Sequence, residues 1–458
     1  MERKTSVLFV LRGAVFIVAF ILYILNLFFP NGTLTMMVNV TSILLFFTAI
    51  IGVARFYFIM AIVFLLSSVI LAITRDVSWS EMMSGFSTMV KLILFIGVIP
   101  LISSPIQNYI RTIQKMIQAL NHRVSSFQVC QSTTFILGNI INMAAIPISK
   151  TMFFQDGTEV EKRVKSELSL RAFGLAMMCS PIGAALALAI DLTNTSWLSL
   201  LAINLILVVI GLFLSYYLTK RHRLLEEQKT LSEKVLMEKA DFVNLAAVFG
   251  PFFLYFLLLI YSERFASIGM METILISVLP FTFLWSLFLK KVNQWWGACR
   301  LQVFQQTPKF FGQFAVIISA GLLTHTIEVT GLNQALTSLL PGTTGSSDFG
   351  AFYIPITILL VFILSVFGVH QFVAMIFTSQ IIIPETFGIN PIVFASALLV
   401  GFASGMLGSA FSGATITMSG LLHETSYKVA QKNYLFVFIF IGISSFLLIL
   451  INLYLIAR

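Results

Sequence analysis

The chain has 458 residues, of which 58% are hydrophobic and only 10% charged, and its mean hydropathy is +0.96. Soluble domains carry about 25% charged residues, so this composition excludes a soluble globular protein and points to lipid. The formal charge of +9 is spread over short loops between apolar runs, the pattern of topology signals facing an anionic leaflet, which argues against a nucleic-acid partner.

Apolar runs predict crossings over 7–29, 36–54, 56–74 and 82–103 in the first part of the chain. The first run follows a few basic residues but is too long for a signal-peptide core and lacks a small-residue cleavage site, so it reads as a membrane span. Next comes Ser104 to Gln128, whose Ile106, Ile110, Ile113, Met116 and Leu120 share one face while Arg111, Lys115 and Arg123 lie away from it. That pattern predicts a helix lying in the inner interface. An interrupted apolar stretch follows at 128–154, broken at Gly138-Asn139, and then crossings at 168–192 and 196–219. The charged, helix-forming segment 220–241 reads as a cytoplasmic linker. Beyond it lie crossings at 242–261, 268–289 and 309–331, a second interrupted stretch at 352–383 broken at Gly368-Val369-His370, and crossings at 391–421 and 434–455.

Charge decides how the two interrupted stretches lie. With both re-entrant and the N-terminus inside, the basic residues from Arg55 to Lys432 gather on one side. Only Arg75, Arg264 and Arg458 remain on the other. Making either stretch a crossing would flip every later loop and destroy this asymmetry. The expected fold is therefore an all-α polytopic membrane protein of about 11 crossings and two re-entrant hairpins, N-terminus in and C-terminus out. Residues 1–35 carry an additional first helix. Residues 36–219 and 242–458 then form two halves, each with five crossings and one hairpin. Five is odd, so the halves are inverted relative to each other.

The same order of features recurs in both halves. Each hairpin precedes a long span broken by small polar residues, MCSPIGA from Met178 in the first half and GSAFSGAT from Gly408 in the second. Irregular backbone at membrane depth survives only where protein or a watery cavity receives it, and a repeated pair of such places marks a secondary transporter's binding site. The candidate binding residues are Gly138, Asn139 and Asn142 at the first hairpin, and Ser180, Pro181 and Gly183 in the first broken span. Gly368, His370 and Gln371 follow at the second hairpin, with Ser409, Ser412, Gly413 and Thr415 in the second broken span. Half-helix N-termini suit an anion and freed carbonyls suit Na⁺, which places candidate ion contacts at Asn139, Ser180, Gly368 and Ser409. Packing through small residues competes as a reading, and Gly401, Gly405 and Gly408 fit it well. Three ionisable residues inside spans are further suspects. Lys91 could be an anion's counter-charge, and His325 with Glu328, three apart on one helix face, could couple protons.

These features resemble the ion transporter superfamily, which includes divalent anion:sodium symporters, citrate permeases, arsenite permeases and TRAP-type large subunits. Members similar to the divalent anion symporters carry Ser-Asn-Thr at both hairpin tips for carboxylate and sodium contacts. Here the first tip reads Gly138-Asn139-Ile140-Ile141-Asn142, keeping the Asn, and the second reads Val369-His370-Gln371. The resemblance implies that hairpins and broken spans ride on a moving transport domain, against a homodimeric scaffold, with an elevator-like motion.

The expected function is secondary active transport of a small anionic organic solute across the cell membrane, coupled to Na⁺ or H⁺ and needing no cofactor. A cation/proton antiporter on the same fold is an alternative, although Asp191 and Glu328 are poorly placed for it. A polytopic lipid-handling protein or enzyme with His370 or His325 as base is another. No nucleotide-binding Gly-x-x-x-x-Gly-Lys-Ser/Thr loop occurs, which argues against ATP-driven transport by this chain alone. Neither a HExxH motif nor a spaced Cys/His metal site occurs, and Cys130, Cys179 and Cys299 are too scattered for a disulfide framework.

Overall fold

The computed structural model describes residues 2–109, 112–113, 115–116, 119, 125–154, 158–220, 237–265, 268–341 and 349–456. Among them every regular element is helical, and eleven helical segments are long and apolar enough to cross a membrane. The chain is an all-α polytopic membrane protein.

Local chemistry fixes where many helices start. Asn31 caps the second span by accepting from the Leu34 amide at 2.8 Å, so that helix begins at Gly32, earlier than hydropathy alone suggests. Ser78 and Glu81 form a reciprocal capping box, and the fourth span starts at Trp79. The predicted crossing at 309–331 is the last part of a longer helical path, Val292–Val329, which changes pitch at Gln302–Phe310 beside Pro308.

Two expectations change in detail, and the first interrupted stretch keeps its hairpin shape. Residues 168–192 contain two helices, Glu159–Ala176 and Ala184–Thr193, separated by seven non-helical residues. Ser126–Phe153 has the length of a span but folds back on itself, as described below. The predicted interfacial helix over 104–128 begins as a 3-10 turn at Ile106–Tyr109 and yields to the hairpin at Ser126. Ile110, Arg111, Leu120 and Arg123 lie outside the described residues, as does most of the 220–241 linker.

The chain divides into two compact units. The first comprises Met1–Leu101, Met271–Ser346 and Ile376–Thr386. Within it the buried Arg12 guanidinium donates to the carbonyls of Thr48, Ile51 and Pro308 and lies over the Phe311 ring. A buried cation is tolerable here because the carbonyl-rich C-terminus of Gly32–Ile50 supplies the negative end of a helix dipole.

The second unit comprises Ile102–Met270, Ser347–Met375 and Phe387–Arg458. At its centre lies Pro391–Gly408, buried along almost its whole length. Glu159–Ala176 packs against it so closely that a Cβ on Gly174 would lie 3.0 Å from a Leu407 methyl. Arg171, buried in this unit, donates to Asn433 at 2.8 Å and to Glu167 at 3.0 Å, so its charge is paired and hydrogen-bonded.

Candidate functional site

The first hairpin runs up Ser126–Ile141, turns at Asn142–Ala144 and returns along Ala145–Phe153. Thr134 and Ser149 meet hydroxyl to hydroxyl at 2.8 Å, which ties the two arms antiparallel. The turn is made by Asn142, whose φ of 52° is uncommon for any residue except Gly, Asn and Asp. Sequence reasoning placed the interruption at Gly138-Asn139, and the structure moves it. Both residues are helical, and Asn139 Nδ2 donates back to the Phe135 carbonyl at 2.9 Å. Gly138 serves close approach: a Cβ there would stand 3.0 Å from Ala176 Cβ and 3.2 Å from the Phe173 ring.

That approach brings the hairpin onto the first broken span. Ser180 Oγ donates to the Asn139 carbonyl at 3.2 Å, and Cys179 Sγ lies 3.7 Å from Asn139 Oδ1. Pro181 has no N–H, so it cannot donate to the Met177 carbonyl as a continuing helix would. The carbonyls of Met177, Cys179, Pro181 and Ile182 accept no hydrogen bond among the described residues. On the other side of the break Gly183 provides no side-chain cap, and the amides of Ala184, Ala185 and Leu186 donate none. All of this backbone is buried. The break thus presents free acceptors on one side and free donors on the other.

The second broken span has the same construction with a different chemistry. Its helices, Pro391–Gly408 and Gly413–Leu422, have 18 and 10 residues, as do Glu159–Ala176 and Ala184–Thr193. Both short helices end at a left-handed residue, His423 in one case and Asn194 in the other. Here Ser412 and Thr415 satisfy part of the break, while the carbonyls of Leu407, Gly408 and Ala410 and the amides of Gly413 and Ala414 make no hydrogen bond among the described residues. Ser412 Oγ donates to the Met406 carbonyl at 2.6 Å and accepts from the Thr415 amide at 3.0 Å, and Thr415 Oγ1 also donates to Met406. Gly413 keeps the start of the short helix open: a Cβ there would stand 3.4 Å from Met143 at the first hairpin's turn.

The second hairpin's long arm, Gly350–Val366, ends in a Schellman motif. Gly368, with φ of 94°, donates to Ser365, and Val369 donates to Leu364. Ser409 Oγ ties the second break to this arm, donating to the Ser365 carbonyl at 2.6 Å. Gly401, Gly405 and Gly408 form the packing stripe against the same arm; a Cβ on Gly405 would lie 2.6 Å from Ser365 Oγ. The helix that follows the turn, Gln371–Ile381, leaves the second unit at Ile376. His370 stacks on Phe372 with ring centroids 5.1 Å apart, and its Nδ1 faces the Phe372 amide at 3.4 Å. Gln371 is 5% exposed, and its amide makes no hydrogen bond among the described residues.

The second unit therefore contains both turns, both breaks and all thirteen residues singled out there from the sequence. Lys91, His325 and Glu328 belong to the first unit. Lys91 Nζ has its counter-charge within the fold, Glu272 Oε1 at 3.1 Å, which Tyr23 also approaches. His325 bonds through Nε2 to Ser84 Oγ at 3.1 Å, and no hydrogen bond or ion pair joins it to Glu328. Spacing made that pair possible, but tertiary packing turned the imidazole to another helix.

One residue escaped the sequence reading. Asn204, in Trp197–Lys220, is fully buried; its Nδ2 donates to the Met178 carbonyl inside the first break at 2.9 Å, and its Oδ1 has no partner among the described residues. A lone amide in the middle of an apolar span was the available signal.

No protein-family model and no curated protein sequence matches the chain. Among solved structures, the chain resembles the YdaH transporter of Alcanivorax borkumensis, with a TM-score of 0.56 and 10% sequence identity, over 86% of this chain and 97% of that one. At that identity the likeness is one of fold. The fold is that of a membrane transporter.

Proposed function

We propose that the chain is a secondary active transporter that moves a small anionic organic solute across the cell membrane in exchange for the free energy of a Na⁺ or H⁺ gradient. The observation that carries this reading is the gathering of two breaks and two hairpin turns in one unit, each break serine bonded to a carbonyl of its hairpin's long arm. Structural spans need no such arrangement, because buried irregular backbone costs free energy that an unbroken helix avoids. Free amides at the start of Ala184–Thr193 suit a carboxylate, and the freed carbonyls with Asn204 Oδ1 suit Na⁺. The matched 18- and 10-residue halves support an internal repeat; its inversion, an N-terminus inside and alternating access of the elevator type belong to the same proposal. A homodimeric scaffold is part of the same proposal.

The test is uptake into proteoliposomes, screened over organic anions under imposed Na⁺ or proton gradients. Accumulation that follows the gradient and falls when Asn139 or Ser409 is made bulky supports the reading. Absence of flux over a broad panel, with protein shown to be folded, removes it.

A further inference from the structure

The second unit holds a cavity of about 300 Å³ that runs along the outside of the first hairpin. Leu137 and Ile141 line it from the long arm, and Ala144, Ile148 and Met152 from the turn and short arm, each set spaced by four so that one stripe per arm faces inward. Ile106, from the segment after the fourth span, contributes to the opposite wall. The lining is predominantly apolar, with Ser103 as its one polar side chain among the described residues, and it holds no charged group to pair with an ionic solute. The cavity also touches the two sides of the hairpin's turn. Ile141 and Ala144 bracket Asn142, the turn residue, whose half-buried side-chain amide makes no hydrogen bond among the described residues.

We infer that the transported solute is amphipathic, with its polar head at the Asn142 turn and an apolar tail in this cavity. The inference rests on the transporter reading above and names its substrate class. Three observations favour the solute's tail over other fillings. The cavity is continuous with the turn, both arms of the hairpin line it, and its volume is at the lower end of the range of small-molecule sites. An apolar cavity of about 150 Å³ accepts one benzene ring, so this one accommodates a chain of roughly ten carbons.

The test is binding of linear monocarboxylates, butanoate to tetradecanoate, to the purified protein in lipid nanodiscs, with protein-free nanodiscs subtracted. Affinity is expected to rise about fourfold per added methylene and to level off at about ten carbons. Ile148→Trp fills the cavity and is expected to abolish that dependence. Should this variant not fold, Ile148→Cys plugged after reconstitution with a hexyl thiosulfonate blocks the same space. An unchanged chain-length dependence in the plugged protein overturns the inference. So does a phospholipid found by native mass spectrometry in the unmodified protein and lost on plugging, with no effect on carboxylate affinity, because the cavity is then a lipid seat. Chain-length-dependent binding without gradient-driven uptake upholds the cavity and refutes the carrier. Gradient-driven uptake that ignores chain length does the reverse.

Discussion

Ser409 donates its hydroxyl to the Ser365 carbonyl at 2.6 Å, joining the second break to the last turn of its hairpin's long arm. Ser180 does the same for the first half, at 3.2 Å to Asn139. Ser409 Oγ also accepts from the Phe411 amide at 3.1 Å, which leaves it one lone pair, while Ser180 Oγ donates only to the hairpin and keeps both for another partner.

Replacing either serine with Ala is expected to lower stability by about 1 kcal/mol and to reduce solute uptake more than tenfold. Paired measurements of denaturant midpoint and initial uptake rate check this. A loss of stability with uptake unchanged would confine both serines to packing.

Asn204 makes the sharper case for an ion. Leaving its Oδ1 buried and unpaired costs about 1–3 kcal/mol, which a bound cation or water would recover. Asn204→Leu is expected to raise the half-saturating Na⁺ concentration at least tenfold, and Asn204→Asp to lower it. Thermal unfolding titrated with NaCl against KCl reads this directly. Identical Na⁺ responses in wild type and Asn204→Leu would leave the orphan oxygen to water.

Gly405 and Gly442 offer a contrast in one protein. Gly405→Ala puts a Cβ 2.6 Å from Ser365 Oγ and is expected to destabilise by about 1–3 kcal/mol. Gly442 is helical and nothing lies within 4 Å of its would-be Cβ, so Gly442→Ala is expected to stabilise by about 0.5–1 kcal/mol. Equal effects of the two changes would mean that the glycine stripe does not set the packing distance.

Lys91 and Glu272 predict a charge effect without a solute effect. Lys91→Met is expected to destabilise by about 1–3 kcal/mol by stranding a largely buried carboxylate, and Lys91→Met with Glu272→Met to recover most of that loss. Solute affinity should be the same in wild type and the double variant. A change in affinity greater than threefold in the double variant would return Lys91 to the list of solute contacts.

Much of this architecture was legible in the residues. The second hairpin breaks at Gly368 and the two long spans at Ser180-Pro181 and Ser409–Ser412, because a missing N–H, a left-handed glycine and a capping serine act within four residues of chain. The apolar runs likewise announce membrane helices by length alone. What no local rule contained was which side chains meet. Gly138 looked like a turn and is a contact surface for Ala176, while the turn passed to Asn142. His325 and Glu328 had the spacing of a pair, yet Ser84 took the imidazole. Tertiary structure also decided that Ser412 and Thr415 both turn to the Met406 carbonyl in the second break, and that Asn204 reaches the first with one oxygen to spare. Backbone breaks are local events set by covalent chemistry; the fate of the groups they free depends on residues tens or hundreds of positions away.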